Sequence, residues 1–310
     1  LLVPNHYFLK ITDVDLIDEL FVYFLIVASI IFLLVVFFTF FYLFRYGVKK
    51  RPERPSQKVG NGNVEYFLAT LVTIITGVFV YLTIVTMGKV QTIPENPRPF
   101  LEITGHQWWW EAKYPNSGVI TSNQIYIPTG KKILLKLNSA DVIHSWWVPE
   151  LGRKMDMMPG RDNYMWFYAD KEGEYLGACS EFCGVQHARM RIRVTALNPE
   201  AFELWEQKQL RPVATTNTKK FLKGKKLFET KTCTNCHAIN GTDFKENIGP
   251  NLTHFASRKR FLADMKVNNE KNLRAWLTNP QDVKSGAKMP NFILSESEVD
   301  ALVAYLNYLK

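Results

Sequence analysis

The sequence predicts a multidomain chain: a two-helix transmembrane hairpin, then an all-β sandwich or barrel, then an all-α module. Three observations predict this. Residues 20–44 and 66–88 contain no charged side chain. Between residues 101 and 197, short runs rich in β-branched and aromatic residues are punctuated by Gly, Pro, Asn and Asp. Beyond residue 218, amphipathic helical patterns surround the run Cys233-Thr234-Asn235-Cys236-His237. The 310 residues suffice for two modest domains plus accessory segments.

Residues 1–19 end in Asp13, Asp15, Asp18 and Glu19, an acidic lead-in suited to an outer membrane interface. Each uncharged run, as a helix, is long enough to cross a hydrocarbon core of about 30 Å. A lone run would also suit a signal peptide or a buried helix, but a signal core has only about 7–15 residues. Because residue 1 is Leu, the sequence reads as processed, truncated or incomplete at its start. Between the runs stand Arg45, Lys49, Lys50, Arg51, Arg54 and Lys58 against Glu53 and Glu65. That excess places the loop on the cytoplasmic side, so both termini and everything after Lys89 face outward. In the second run Thr70, Thr73, Thr76 and Gly77 share a helical face, which suits close packing on a helix of another membrane subunit. Glu65, at its cytoplasmic edge, reads most simply as an interfacial acid touching water.

Residues 91–99 form a proline-broken connector. Strands are expected at 101–114, 124–127, 132–137, 164–168, 174–176 and 190–197. In the last, Met190, Ile192 and Val194 alternate with Arg189, Arg191 and Arg193, so Met190 points inward while the arginines meet solvent or an acidic surface. Just before it, Cys179, Cys183, His187 and Met190 fall within a dozen residues. A close cysteine pair in an exported domain also suits a disulfide or two buried thiols. Thiolate, imidazole and thioether together favour copper over magnesium, calcium or manganese. A helix over residues 200–210 closes this region, and residues 211–218 read as an exposed linker.

In the C-terminal module residues 220–230 are amphipathic, and Cys-x-x-Cys-His follows. This is the haem c attachment signature, with thioethers at Cys233 and Cys236 and iron ligation by His237. The same run can be half a zinc site or a redox pair, although zinc needs two further ligands and His254 offers at most one. Met289, followed by Pro290, is the expected sixth iron ligand, with Met265 as the weaker candidate. Ser295 and Glu298 form a capping box for a last helix ending near Tyr308. The two sites account for all four cysteines. Of the net charge of +9, residues 213–310 carry about +7. On the outer side of a membrane that surplus suits docking with an acidic protein or anionic surface rather than nucleic acid.

Residues 179–190 match the loop C-S-E-x-C-G-x-x-H-x-x-M of the dinuclear copper centre in subunit II of the haem-copper cytochrome c oxidases. Residues 141–152, DVIHSWWVPELG, resemble that family's D-V-x-H-S-x-x-V-P-x-L-G, and residues 105–110, GHQWWW, its G-H-Q-W-x-W. Residues 249–252, GPNL, resemble the haem-side loop of class I cytochromes c. Gly224 and Phe228, with Leu302 and Tyr305, resemble the crossing helices of the same fold. The chain as a whole thus resembles subunit II of a caa3-type oxidase. The resemblance implies a membrane hairpin in residues 1–90, a cupredoxin copper domain in 91–210, a linker in 211–218 and a class I cytochrome c in 219–310.

It further implies two copper ions at His144, Cys179, Cys183, His187, Met190 and the Glu181 carbonyl. The Glu181 carboxylate would reach a magnesium ion at the boundary with subunit I. Trp108 would be where electrons enter the copper site, while His106, Trp109 and Trp110 take no functional role. Glu65 matches, by position only, a glutamate at the mouth of a proton channel continuing in subunit I; the Trp and Pro that commonly follow it are absent. The implied function is to accept electrons at haem c and pass them through copper to subunit I, where oxygen is reduced and protons are pumped. The implied setting is a bacterial inner membrane, with both metal domains outside and a quinol-oxidising complex or a cytochrome c as donor. Two rivals are a reductase for another acceptor, such as nitrous oxide, and a non-enzymatic copper or haem carrier. The two spans oppose the first, and two redox centres joined by a linker oppose the second. The quinol-oxidising branch lacks these copper ligands.

Overall fold

The computed structural model describes residues 13–47, 60–213 and 215–310. Lys49, Lys50, Arg51, Glu53, Arg54 and Lys58, which set the expected orientation, lie outside the described residues. The hairpin forms a unit of its own over Asp13–Thr92. Its helices, α1 (Asp13–Arg45) and α2 (Gly62–Val90), extend beyond the uncharged runs at both ends. Charge at the ends explains the extension: Glu65 lies in the first turn of α2, and Arg45 and Lys89 in last turns, each complementing the helix dipole. Asn61 caps α2 by accepting from the Asn63 amide at 3.2 Å. Within α2 the hydroxyls of Thr73 and Thr83 donate to the carbonyls of Ala69 and Phe79, the internal satisfaction that lipid demands. Phe24 meets Phe79 edge-on between the helices, and Gly77 opens onto empty space.

The β-region has ten strands. They are β1 (Leu101–His106), β2 (Trp109–Lys113), β3 (Ile120–Ser122), β4 (Ile125–Pro128), β5 (Ile133–Ser139), β6 (His144–Trp146), β7 (Met155–Met157), β8 (Asn163–Phe167), β9 (Gly173–Ala178) and β10 (Arg191–Leu197). One sheet runs β3-β2-β1-β5-β8, a second β4-β10-β9, and β6-β7 forms a separate hairpin. Strands β1 and β5 pair in parallel, as do β4 and β10; the remaining pairs are antiparallel. The two larger sheets enclose one core that includes Ile103, Trp110, Leu135, Leu137, Trp146, Phe167, Ile192 and Val194. Polar groups tie the sheets together: the Trp110 indole donates to the Arg191 carbonyl, and Tyr114 Oη donates to the Tyr126 carbonyl while accepting its amide. Buried indoles and phenols require such partners. Helix α3 (Pro199–Leu210) closes the region, with Phe202 in the core and Trp205 stacked on Tyr126.

One expectation is corrected here. Residues 101–114 are two strands rather than one, folding back so that His106 faces Trp109. The cause is tertiary: Gln107 and Trp108 in the turn are held by Asp141 and by the Cys183 carbonyl, which no local pattern announces. Strands β3, β6 and β7 were not expected; each has three residues, too few to show a period of two.

The last module has its own core. Its elements are α4 (Lys219–Thr230), a two-residue ladder of β11 (Arg260–Phe261) and β12 (Lys266–Val267), α5 (Glu270–Thr278), α6 (Pro280–Val283) and α7 (Glu296–Leu306). Helix α4 crosses α7 at Gly224, where an added Cβ would collide with the Ala301 carbonyl oxygen and come within 2.7 Å of Tyr305 Cβ. Phe228 packs against Tyr305 beside the crossing. Both halves of the Ser295–Glu298 capping box are formed, and α7 ends at Leu306, two residues earlier than expected. In the segment before α4, Val213 is half-buried against this core rather than exposed.

Candidate functional site

Six residues converge at one end of the β-region. His144 comes from β6 and is fully buried, while Cys179, Glu181, Cys183, His187 and Met190 come from the loop between β9 and β10. The loop closes on itself because the Cys179 amide donates to the Met190 carbonyl at 3.0 Å. The two Sγ atoms stand 3.8 Å apart, nearly twice a disulfide bond of about 2.05 Å, so the pair is unbridged. Around them lie His144 Nδ1 (3.9 Å from Cys179 Sγ), His187 Nδ1 (3.6 Å from Cys183 Sγ) and Met190 Sδ (3.8 Å from Cys183 Sγ). The Glu181 carbonyl oxygen is 3.2 Å from Cys179 Sγ, and its carboxylate side chain is exposed. Two thiols, two imidazoles and a thioether fit copper by the chemistry of the donor set.

The histidine is oriented from behind. His144 Nε2 donates to Asp141 Oδ1 at 2.9 Å, which turns Nδ1 toward the thiols. Asp141 also accepts the amides of Gln107 (2.7 Å) and Val142 (2.8 Å). Burial alone would raise its pKa, but the hydrogen bonds from His144 and these amides bring it below the ordinary carboxylate range. Burial opposes charge on His144, yet its hydrogen bonds to Cys179 and Asp141 raise its pKa overall. The contact between the two thiols, against the effect of burial, lowers the pKa of Cys179, with His144 helping. The same contact, with burial, holds the proton on Cys183. Thiols must lose their protons to bind a metal, so a cation at this site would displace them.

A cavity of about 420 Å³ lies in the C-terminal module, with Cys233, Cys236, His237, Pro250, Met289 and Leu302 in its wall. This size and its apolar lining are those of a ligand site. Cys233 and Cys236 are unbridged. His237 Nδ1 donates to the Pro250 carbonyl at 2.8 Å, leaving Nε2 for a metal. Gly249 presses on the same ring, where an added Cβ would stand 2.6 Å from Cε1. A cavity with two thiols, an imidazole and a thioether on its wall fits haem c. His254 binds the Gln209 carbonyl through Nε2, so it is not turned to the cysteines as a zinc ligand would be. Met289 lines the cavity and Met265 does not.

The β-region supplies the rest of the cavity wall through Gln107, Trp108, Trp109, Ser122 and Asn123. The Trp108 indole N–H and the Gln107 side-chain amide both donate to the Cys183 carbonyl, at 2.9 and 2.8 Å. Gly184, at φ +110°, makes room for this, since a Cβ there would stand 3.0 Å from Trp108 Cζ2. Trp109 stacks on His106, and Trp110 is core. Arg189 and Arg191 are exposed, while Arg193 pairs bidentately with Asp264 of the C-terminal module at 2.9 Å. The acidic surface expected for the arginines thus lies, for Arg193, within the chain. Glu65 is exposed in the first turn of α2. Sequence reasoning assigned nothing to Asp141 or Gln107, although both sit inside quoted motifs; their signal was proximity to His144 and Trp108.

The family described as cytochrome C oxidase subunit II, periplasmic domain, matches residues 118–197, and that described as cytochrome c matches residues 221–310. A cytochrome c oxidase subunit 2 of Alkalihalophilus pseudofirmus is 35% identical over 287 residues, spanning 89% of this chain and 82% of that protein. One of Bacillus sp. (strain PS3) is 33% identical over 277 residues, spanning 83% and 77%. The solved periplasmic domain of subunit II of cytochrome oxidase of Bradyrhizobium japonicum is 31% identical, covers 38% of this chain and 96% of its own, and has a TM-score of 0.36. The cytochrome c match implies haem c and the subunit II match implies copper. Two such domains in one chain, with relatives matched over most of its length, show that it belongs to the cytochrome c oxidase subunit II family, in the caa3-type form with a fused cytochrome c, and is part of a haem-copper terminal oxidase.

Proposed function

We propose that this chain receives electrons at a haem c and delivers them through a dinuclear copper centre to subunit I, where oxygen is reduced and protons are pumped. Haem and copper supply the one-electron redox chemistry. Cys233 and Cys236 attach the haem, and His237 and Met289 ligate its iron. His144, Cys179, Cys183, His187, Met190 and the Glu181 carbonyl hold the copper pair. The Glu181 carboxylate is the hard oxygen donor available to a magnesium ion at the subunit I boundary. Residues 1–90 anchor the chain in a bacterial inner membrane, residues 91–210 and 219–310 carry copper and haem on its outer face, and residues 211–218 join them. Glu65 guards a proton path into subunit I. The donor is a quinol-oxidising complex or a cytochrome c.

The observation that supports this reading most is a shared wall. Trp108 faces the cavity that contains Cys233, Cys236 and His237, and its indole donates to the carbonyl of Cys183. One residue therefore touches both sites. Metal and haem analysis of the purified oxidase should assign two copper ions and one covalent haem to this chain, with electron spin shared between two coppers. A single blue-copper signal would refute the dinuclear assignment. Replacing Met289 should change the haem spectrum and leave the copper signal intact; if replacing Met265 does so instead, the sixth ligand is misassigned.

A further inference from the structure

The segment from Lys284 to Met289 lies along the copper loop while its last residue faces the haem cavity. Lys284 Nζ donates to the Trp108 carbonyl at 3.0 Å. The Ser285 carbonyl accepts from the Gln186 side chain. Gly286, at φ +79°, sits so close to Val185 that an added Cβ would be 2.6 Å from its Cγ2. Lys288 Nζ lies 3.6 Å from the Asp141 carboxylate that orients His144. Met289 then lines the cavity.

Lys284 is the unusual member. Lysine is almost never fully buried unless paired, and this one is 5% exposed. Burial, with Arg189 adding, lowers its pKa to about 8. It contributes to the haem-cavity wall, and its donated hydrogen bond ends on the residue whose indole grips Cys183. Each end of Trp108 is thereby fixed, the carbonyl from the haem module and the indole from the copper loop. A surface lysine serving only solubility would need neither burial nor a backbone partner.

We propose that Lys284 is a positioning residue for electron transfer between the two centres, its ammonium locking the haem module against Trp108. This rests on the relay proposed above. The Lys284 ammonium donates to the Trp108 backbone rather than to a candidate metal ligand, so it acts through Trp108. Arg193 and Asp264 close the same interface elsewhere, so the lysine sets the register at the reacting edge rather than supplying all the adhesion.

The test uses the assembled oxidase with Lys284→Met, which keeps the length and removes the donor, and Lys284→Arg, which restores one. Haem and copper spectra should match the parent in both. Loss of a charge-assisted hydrogen bond should lower the docked-to-undocked ratio roughly 10- to 100-fold. It should appear as faster hydrogen exchange of the amides of residues 107–110 and slower transfer from photoreduced haem c to copper, with Lys284→Arg recovering both. Parent-like exchange and transfer in Lys284→Met would overturn the proposal, as would Lys284→Arg being equally impaired. Should Lys284→Met fail to assemble, Lys284→Gln, polar but too short to reach, provides the same comparison. If the parent itself shows no haem-to-copper transfer, the relay is what fails, and hydrogen exchange still decides the role of Lys284.

Discussion

Asp141 decides which nitrogen of His144 meets the thiols, and its own place is set by two backbone amides. Carboxylate partners of metal-binding histidines fix the tautomer and strengthen the donor. Asp141→Asn keeps the shape and removes the charge, so copper affinity measured by competition with a chelator should fall about 10- to 100-fold. Haem content should be unchanged, because Cys233, Cys236 and His237 lie in the other module. An affinity equal to the parent's would show that Asp141 has no such role. The ligand candidates themselves were legible as residues: their types and spacing announce soft-metal chemistry and haem attachment. What orients them was not. The Asp141 contact spans three residues, but whether Nε2 or Nδ1 takes the carboxylate depends on β6 and its surroundings. The Pro250 carbonyl that holds His237 is thirteen residues away, and only folding brings it near.

Among the elements, α7 shows how a local signal becomes a pH dependence. Glu298 accepts the Ser295 amide and pairs with Lys231 of the residues following α4, and these lower its pKa to about 2. A carboxylate with a depressed folded pKa adds stability that is fully present above its unfolded value, and loses it as pH falls through the folded value. Glu298→Gln should therefore lower the thermal stability of the cytochrome module at pH 7, read from the haem absorbance. The gap from the parent should close as pH falls from about 4.5 toward 2. A gap that persists at low pH would mean that packing, not the carboxylate charge, is responsible. The capping box, α4 and the arginine alternation of β10 were all readable, because each is written within one turn or one pleat. The split of residues 101–114 was not, since its turn depends on partners at Asp141 and Cys183. Strand β6 is buried along its whole length, so it has no alternation to read.

In the whole molecule, the cavity beside Cys233, Cys236 and His237 is walled by both the β-region and the helical module. The order hairpin, β-region, helical module was legible from composition and periodicity, but nothing in the sequence says that residues 107–109 complete a wall begun by residues 233–237. The contacts that bring this about, Asn251 to Ser122, Asp264 to Arg193 and Lys284 to Trp108, join residues 71 to 176 positions apart. No periodic pattern encodes such a separation. The basic surplus of the last module also gains a partial use, since Lys284 and Lys288 face the β-region rather than an outside partner. The most direct test of the relay is the rate at which photoreduced haem c passes its electron to copper in the assembled oxidase, before and after Trp108→Leu. With haem and copper spectra intact, the relay predicts transfer in the parent slowed by at least about tenfold in the variant, which loses both the π-system and the Cys183 hydrogen bond. Equal rates in the two proteins would contradict it.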